Sequence, residues 1–381
     1  KEKNSQKSTS ELKMFKIPIE RYEENMNTES SKEKKKEILD LFTNSNYLQS
    51  EEEFKEIEYR LHEACERGDL ELIKIYLSKK IENDTKDMIF KIDETNQTAS
   101  LFKVKEGNDN IIIPRIVKHE STNYLVTSIT GSIYGITTIK FLEDSAVKTI
   151  YKGAFYGSKI KEIYFPPSLR ELKEGWCNEI NELMKINISP KNQYFVFKEN
   201  KYLIGKSDEN EEEFDKLLFV RRDINEISIP SNIKIISSHS FENCQKLTKI
   251  EIPTNSNLQI IEQYAFSNSK IEEIFIPPNV SKICESAFYN CEDLTKIEIP
   301  TNSNLQIIEQ YAFSNSKIKE IFIPPNVSKI CRSAFYNCRN LIKIEIPTNS
   351  NLQIIEENAF SNSKIKEIYF PPSLRELKEG W

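Results

Sequence analysis

Histidine, cysteine and carboxylate side chains are the groups through which this chain could carry out acid–base, nucleophilic or metal chemistry. Its three histidines, His62, His119 and His239, lie in three different segments. The sequence has no H-E-x-x-H motif, C-x-x-C pair, Walker loop, G-x-G-x-x-G or G-x-S-x-G. Structural roles therefore fit the histidines better than catalytic ones, and the sequence predicts no enzyme activity, no cofactor and no metal site.

The cysteines follow a repeat. Five of the seven recur at matching places in a repeated segment, and equivalent cysteines lie 47 residues apart (331 − 284), which is two coils: Cys244, Cys284, Cys291, Cys331 and Cys338. If coils stack like neighbouring strands, two coils span about 9.6 Å, which is beyond disulfide reach. The sequence therefore predicts buried free thiols, which favours a reducing compartment.

Charge and hydropathy exclude several classes of partner. The formal net charge of −6 argues against nucleic-acid binding, which usually needs a basic face. The acidic stretch Asp208–Asp215 lacks the fixed spacing of an EF-hand loop and fits a solvated loop. No apolar run reaches about 18 residues, so the sequence predicts no membrane insertion.

One block of sequence is written twice. Leu247–Asp293 and Leu294–Asn340 differ at only four positions, and all four are changes of charge: Glu272 to Lys319, Glu285 to Arg332, Glu292 to Arg339 and Asp293 to Asn340. Because every apolar residue is kept, we expect the apolar set to build a shared core and the charged set to face water. The two copies should then carry opposite surface character.

The block belongs to a longer array marked by apolar-x-apolar pairs. The pairs recur every 23 or 24 residues, apart from one step of 41 residues (227 − 186) that indicates an insertion at about 192–222; they begin at Ile139, Ile163, Ile186, Ile227, Ile250, Ile274, Ile297, Ile321, Ile344 and Ile368. A proline follows most pairs and ends each strand early. Ten coils are predicted, and stability must come from stacking because one coil cannot offset its own ordering entropy.

The segments before the array differ from it. Residues 1–35 are polar and predict a flexible arm. Helical spacing over 36–85 predicts a small helical module, in which Leu61–Leu77 resembles one degenerate ankyrin unit, with a helical cap as the alternative. Short β-branched runs over 86–130 predict a β-rich N-terminal cap of the array.

The repeat resembles a known family. The pattern of Ala287-Phe288, Cys291, Leu294, Ile297, Ile299 and Pro300 is similar to the BspA-type leucine-rich repeat family. The resemblance implies that 131–381 is a mainly β repeat solenoid with a parallel β-sheet on one face. BspA-like proteins include bacterial and protist surface proteins implicated in adhesion.

Residues beside the inward pairs should point outward and form rows along the sheet. One row alternates in charge and runs Glu226, Lys249, Glu273, Lys296, Glu320, Lys343 and Glu367. The next row places aromatic side chains in water, most of them with carboxylates between, and supplies the predicted partner-binding residues: Tyr164, Glu251, Phe275, Glu298, Phe322, Glu345 and Tyr369. Exposed aromatic side chains are favoured at interfaces. Chance surface aromatics are the alternative explanation.

Two functional hypotheses follow. The first is a non-enzymatic scaffold that presents the sheet face to a protein partner. The second is a cell-surface adhesin or antigen that binds host or matrix components such as a glycoprotein. The cysteines favour the cytoplasm, and the cell surface stays the alternative because both chain ends look incomplete.

Overall fold

The computed structural model describes residues 85–380 except 106, 108 and 209. The predicted arm (1–35) and the predicted helical ankyrin-like module (36–85) lie outside the described residues, apart from Thr85. The described part is a mainly β solenoid of about 12 turns with parallel sheets. In this described part, no helix is long and apolar enough to cross a membrane.

Five strands precede the regular coils: β1 (Met88–Asp93), β2 (Thr98–Val104), β3 (Asn110–Ile113), β4 (Ile116–His119) and β5 (Thr122–Ile129). Strands β1 and β2 form an antiparallel hairpin, and β4 pairs antiparallel with β5. Strand β2 also pairs in parallel with β5, which starts the parallel stacking of the solenoid.

Each coil contributes one strand to each of two faces. The strands of the first face contain the apolar-x-apolar pairs: β6 (Thr138–Phe141), β8 (Glu162–Phe165), β10 (Lys185–Ile188), β14 (Glu226–Ser228), β16 (Lys249–Glu251), β18 (Glu273–Phe275), β20 (Lys296–Glu298), β22 (Glu320–Phe322) and β24 (Lys343–Glu345). These strands form parallel two-stranded ladders, such as β18 with β20 and β22 with β24. Proline follows them and limits their length because it cannot donate to a ladder.

The second face is a more continuous sheet. Its strands are two residues long: β7 (Thr149–Ile150), β9 (Glu171–Leu172), β15 (Ile235–Ile236), β17 (Ile260–Ile261), β19 (Lys282–Ile283), β21 (Ile307–Ile308), β23 (Lys329–Ile330), β25 (Ile354–Ile355) and β26 (Glu376–Leu377). From β15 to β26 they pair in parallel in one sheet. The family resemblance implied a parallel sheet on one face, and the structure has parallel pairing on two.

The predicted insertion contains three strands, β11 (Phe195–Lys198), β12 (Tyr202–Gly205) and β13 (Lys216–Val220). They pair antiparallel with one another, and β13 then pairs in parallel with β15. The excursion therefore joins the ten-stranded sheet of the second face and does not stand apart from the solenoid.

About 12 turns exceed the ten that the spacing of the pairs predicts. Part of the difference lies at the N-terminal side, where Ile111 and Ile113 of β3 pair in parallel with Ile139 and Phe141 of β6. The two pairs are 28 residues apart (139 − 111), so the regular spacing of 23 or 24 residues does not reveal the earlier one.

A column of stacked phenylalanines runs through the core. Consecutive ring centroids are 4.5 to 5.3 Å apart and the rings are within 16° of parallel: Phe241, Phe266, Phe288, Phe313, Phe335 and Phe360. All six side chains are buried. Because each ring contacts the ring of the next coil, the column ties neighbouring coils to one another.

The turn around each Ala-Phe pair places two residues in the left-handed region. In the coil of Phe288 these are Ser286 (φ 57°) and Asn290 (φ 59°), and in that of Phe335 they are Ser333 (φ 54°) and Asn337 (φ 60°). Asparagine tolerates this conformation better than most residues. The asparagine amides also pair between coils, since Asn290 Nδ2 donates to Asn268 Oδ1 at 2.8 Å.

The repeat cysteines pack inside the coils. Cys291 Sγ donates to the Phe266 carbonyl at 3.0 Å, and Cys338 Sγ donates to the Phe313 carbonyl at 3.2 Å. The six described cysteines are free, and all except the half-buried Cys331 are buried. Burial raises the pKa of the Cys291 thiol to about 12. These thiols serve as small core groups that also satisfy carbonyls.

Candidate functional site

The outward side of the first face carries the charged row in the predicted register. Glu273 lies opposite Lys296, and Glu320 lies opposite Lys343. The Lys296 ammonium is 3.8 Å from the Glu273 carboxylate, and both side chains are more than half exposed. Exposed pairs of this kind stabilise by only about 0–1 kcal/mol, so the row contributes more to register than to stability.

The aromatic row lies two residues further along the same strands. Phe275 is opposite Glu298, and Phe322 is opposite Glu345. An isolated parallel bridge between Lys343 and Glu367 continues this register into the next coil, so Tyr369 follows Glu345. Five of the seven predicted residues therefore form one continuous row in adjacent coils.

The exposure of that row differs from the sequence expectation. Tyr369 is 77% exposed, and Glu298 and Glu345 are exposed, but Phe275 and Phe322 are half-buried. Neighbouring strands are only about 4.8 Å apart, so adjacent side chains cover part of each ring. The aromatic rings are accessible from one side and are not fully in water.

The two remaining predicted residues lie apart from this row. Glu251 is exposed on β16 and lies opposite Ser228. Tyr164 lies on β8, on the other side of the insertion, opposite Asn187. The row that the sequence treats as one surface is therefore divided between two regions of the first face.

Tyr164 is half-buried against the N-terminal core. Its hydroxyl donates to the carboxylate of Glu143, which also accepts a hydrogen bond from Ser189 Oγ at 3.0 Å. Burial, reinforced by the Glu143 carboxylate, raises the pKa of Tyr164 above its usual range. The hydroxyl is thus a held donor, and its ring is the accessible part.

Beside Tyr164 lies a groove of about 780 Å³ that the sequence did not indicate. Polar residues of β8, β10 and the preceding turns line it, among them Lys161, Glu162, Glu182 and Asn187. Lys161 is 3.8 Å from Glu182, and Lys185 is 2.6 Å from Glu162. Opposite charges meet within the groove, so it offers mixed hydrogen-bonding groups and no uniform field. No sequence signal marks it, because it arises from packing between coils.

A cluster of ionisable groups lies beneath the insertion, and its burial decides its role. The Arg222 guanidinium donates to the carbonyls of Val220, His239 and Ser240. His239 stacks on Tyr264, with ring centroids 5.2 Å apart, and its Nδ1 is 3.0 Å from a Glu242 carboxylate oxygen. Arg222, His239 and Glu242 are all buried. This cluster holds the insertion to the solenoid and offers no access to a substrate.

The other histidines add no catalytic group to this picture. His119 is exposed and contacts Tyr124 edge to face at 6.3 Å, and His62 lies outside the described residues. Among residues 85–380 with their three gaps, no group of three or more histidine, cysteine, aspartate or glutamate side chains could hold a metal ion.

Comparison with known proteins places the fold. The model of the BspA type leucine-rich repeat region matches 112–202, 212–341 and 259–381 in six copies. The chain belongs to the BspA type leucine-rich repeat family. In this family member the matched segments cover all strands of the first face from β6 onward, so the candidate surface lies on the family's repeat.

Solved structures agree on the architecture. A leucine-rich repeat protein from Eubacterium ventriosum is 20% identical, with a TM-score of 0.59 over 73% of this chain and 79% of that one. One from Bacteroides ovatus is 23% identical with a TM-score of 0.40, and this chain covers 60% of its length. A leucine rich cell surface protein from Faecalibacterium prausnitzii is 18% identical, with a TM-score of 0.44 over 77% and 94% of the two chains. No curated protein matches. At these identities the likeness concerns the fold alone.

Proposed function

We propose that this BspA-type repeat protein is a non-enzymatic scaffold that binds a protein partner through the first face between β18 and Tyr369. The carrying observation is the row in which half-buried Phe275 and Phe322 alternate with exposed carboxylates and end at the exposed Tyr369. Aromatic side chains with one accessible side supply binding energy, and the carboxylates between them supply orientation.

The spacing of the row constrains the partner. Phe275 and Phe322 are two coils apart, which is about 9.6 Å if neighbouring strands are 4.8 Å apart. A partner that uses both rings presents two apolar pockets at that separation, with lysine or arginine beside them to meet Glu298 and Glu345. The stacked core keeps the spacing fixed, so little conformational entropy is lost on binding.

The test compares the intact chain with two surface variants. Glu298→Lys, Glu345→Lys and Tyr369→Ser together remove the exposed part of the row. Gln259→Lys, Gln306→Lys and Gln353→Ser make comparable changes at exposed positions on the second face and serve as the control. Each chain is immobilised at equal density, and the partner that the wild type retains is identified by mass spectrometry.

The first-face variant is expected to bind that partner at least about tenfold more weakly, while the control keeps wild-type affinity. Equal affinity of all three proteins would contradict the proposal. Phe275→Ser and Phe322→Ser are measured separately with thermal denaturation, because both rings are half-buried and their loss also lowers stability.

The adhesin hypothesis concerns the same face and differs in the partner. It predicts that a purified matrix glycoprotein binds the wild type and loses affinity for the first-face variant. Retention of a matrix glycoprotein by the second-face control alone would separate the two hypotheses.

A further inference from the structure

The two copies of the repeated block present opposite charges along one edge of the solenoid. This edge joins each Ala-Phe turn to the following strand of the first face. In the second copy and the coil after it, exposed cations occupy the edge, and we call them the basic edge: Lys317, Lys319, Arg339, Lys364 and Lys366. In the first copy, the positions of Lys319 and Arg339 are held by Glu272 and Glu292.

In the first copy the charges are internally compensated. The Lys270 ammonium lies 3.2 Å from the Asp293 carboxylate and 3.9 Å from that of Glu292. Lys317, at the boundary between the copies, lies 3.3 Å from the other oxygen of Asp293. This stretch of the edge therefore offers no surplus of positive charge to a ligand.

In the second copy the compensating acids are missing. Arg339 and Asn340 stand where the first copy has Glu292 and Asp293. Within the described part of the chain, no ion pair is found for Lys319, Arg339, Lys364 or Lys366. Asn337 Oδ1 accepts a hydrogen bond from Arg339 Nε at 2.8 Å and so orients the guanidinium.

An exposed apolar side chain lies among these cations. Ile342 is 43% exposed. Its backbone N–H donates to the Lys319 carbonyl at 2.9 Å, and its own carbonyl accepts from Lys366 N–H at 3.4 Å, so it lies in the coil between the two lysines. The equivalent residue of the first copy is the polar Thr295. Exposure and charge therefore change together on this edge.

A groove of about 420 Å³ adjoins this position. Lys317, Arg339, Asn315 and Asn337 are among the residues that line it. The amide side chains of the two asparagines are joined by a hydrogen bond of 2.6 Å from Asn337 Nδ2 to Asn315 Oδ1. Amide and cationic groups that converge on a groove suit carboxylate ligands.

We propose that the basic edge is a second interaction surface that binds an acidic segment of a protein with an apolar side chain placed on Ile342. A peptide can place carboxylates beside Lys319 and Lys366 and an apolar residue between them. A nucleic acid or a sulfated polysaccharide carries charge along its whole length and would meet Glu320 and Glu367, which are exposed on the neighbouring row. The chain is also negative overall, so binding depends on this local patch.

The repeat provides variants that keep a sequence the fold already accepts. Lys319→Glu, Arg339→Glu and Asn340→Asp give the second copy the charges of the first, and Ile342→Thr gives it the first copy's neutral residue. The reciprocal variant, Glu272→Lys, Glu292→Arg and Asp293→Asn, builds another basic edge. Each is made in the intact chain, and its melting temperature is compared with that of the wild type.

The probe is a fluorescein-labelled peptide of alternating glutamate and leucine, titrated at low and high salt, with polyglutamate, heparin oligosaccharide and single-stranded DNA as competitors. Charge reversal is expected to weaken peptide binding at least about tenfold, and Ile342→Thr to weaken the leucine-containing peptide but not polyglutamate. The reciprocal variant should bind additional peptide.

Unchanged peptide affinity after charge reversal would overturn the proposal. Tighter binding of heparin or DNA than of the peptide would assign the edge to a polyanion and would overturn the choice of an acidic protein segment. Since none of these substitutions touches Phe275, Phe322 or Tyr369, the outcome is independent of the proposed role of the aromatic row.

Discussion

Phe266 and Phe288 lie face to face, with ring centroids 4.9 Å apart and planes within 3° of parallel. They belong to adjacent coils whose turns have different sequences, Ser267–Ser269 in one and Tyr289–Cys291 in the other. The stacking therefore does not require identical turns, because the buried Ala-Phe pair keeps its place while the turn around it varies.

Removing one ring of the stacked column should strongly destabilise the array. Phe335→Ala leaves a cavity between Phe313 and Phe360, and truncation of a buried phenylalanine typically costs about 3–5 kcal/mol. Tyr336→Ala is the matched control, since the next side chain is 37% exposed. Urea denaturation measures both, and equal losses would contradict the role of the column.

The buried Arg222 should be required for the junction between the insertion and the coils. Arg222→Met leaves the carbonyls of His239 and Ser240 without this donor, at about 1–3 kcal/mol for each unsatisfied group. Arg222→Lys should not restore stability, because one ammonium cannot reproduce the geometry of the guanidinium fork.

Arg221→Met is the control for that experiment, since its partner Asp223, 2.7 Å away, lies near the surface. We expect it to lower the free energy of unfolding by no more than about 1 kcal/mol. If Arg222→Lys were as stable as the wild type in the same urea titration, the guanidinium contacts would not hold the junction.

Native thiols should react slowly with alkylating reagents near pH 8. Burial raises the pKa of Cys291 to about 12 and that of Cys338 to about 11, from an ordinary value of 9.0, and the thiolate is the reactive form. Half-buried Cys331, whose pKa is also raised to about 11, should be modified first. Mass spectrometry of iodoacetamide-treated protein, with urea-unfolded protein as the reference, measures the order.

The same thiols give a direction for alkaline stability. Because the folded pKa lies above the unfolded one, the contribution is fully present below pH 9 and is lost as pH rises toward 11 and 12. Cys291→Ala should flatten this alkaline loss relative to the wild type. An identical pH profile of the two proteins would mean that the thiol does not contribute.

The ion pairs of the two faces should differ in worth. Lys329 on β23 is 2.8 Å from Glu356, and both side chains are at least two-thirds covered, whereas Lys296 and Glu273 on the first face are mostly exposed. The hydrogen bond from Lys329 is the largest cause that lowers the pKa of Glu356 below its ordinary value of 4.5. Lys329→Gln should therefore cost more stability than Lys296→Gln, which should cost at most about 1 kcal/mol.

Acid should remove that difference. A carboxyl group with a depressed folded pKa contributes stability above its unfolded pKa, and this contribution is lost as pH falls through the lower folded value. The gap between Lys329→Gln and the wild type should thus narrow below pH 4.5 in denaturation curves. A gap that is constant from neutral to acidic pH would show that the pair is not its source.

The strand register of the first face was predictable from sequence. The apolar-x-apolar pairs, the prolines after them and the alternation of Glu273, Lys296, Glu320 and Lys343 all repeat with the coil, and the structure pairs Glu273 with Lys296 and Glu320 with Lys343. Periodicity carries this information because each coil contacts mainly its neighbours, so local spacing and overall architecture are nearly the same thing.

Features that depend on contact between unlike segments were not predictable. The two-residue strands of the second face, such as Ile260–Ile261, are too short to give an alternating pattern. The partial burial of Phe275, the groove beside Tyr164 and the enclosure of Arg222 depend on how side chains from different coils and the insertion meet.

The sequence by itself determined the repeat, its core residues and the charges that distinguish the two copies. Only the tertiary structure decided which of those charges remain uncompensated, because Lys270 meets Asp293 across adjacent coils while Arg339 and Asn340 leave Lys364 without such a partner in the described chain. Compensation depends on distances between side chains in different coils, and those distances exist only once the coils are stacked.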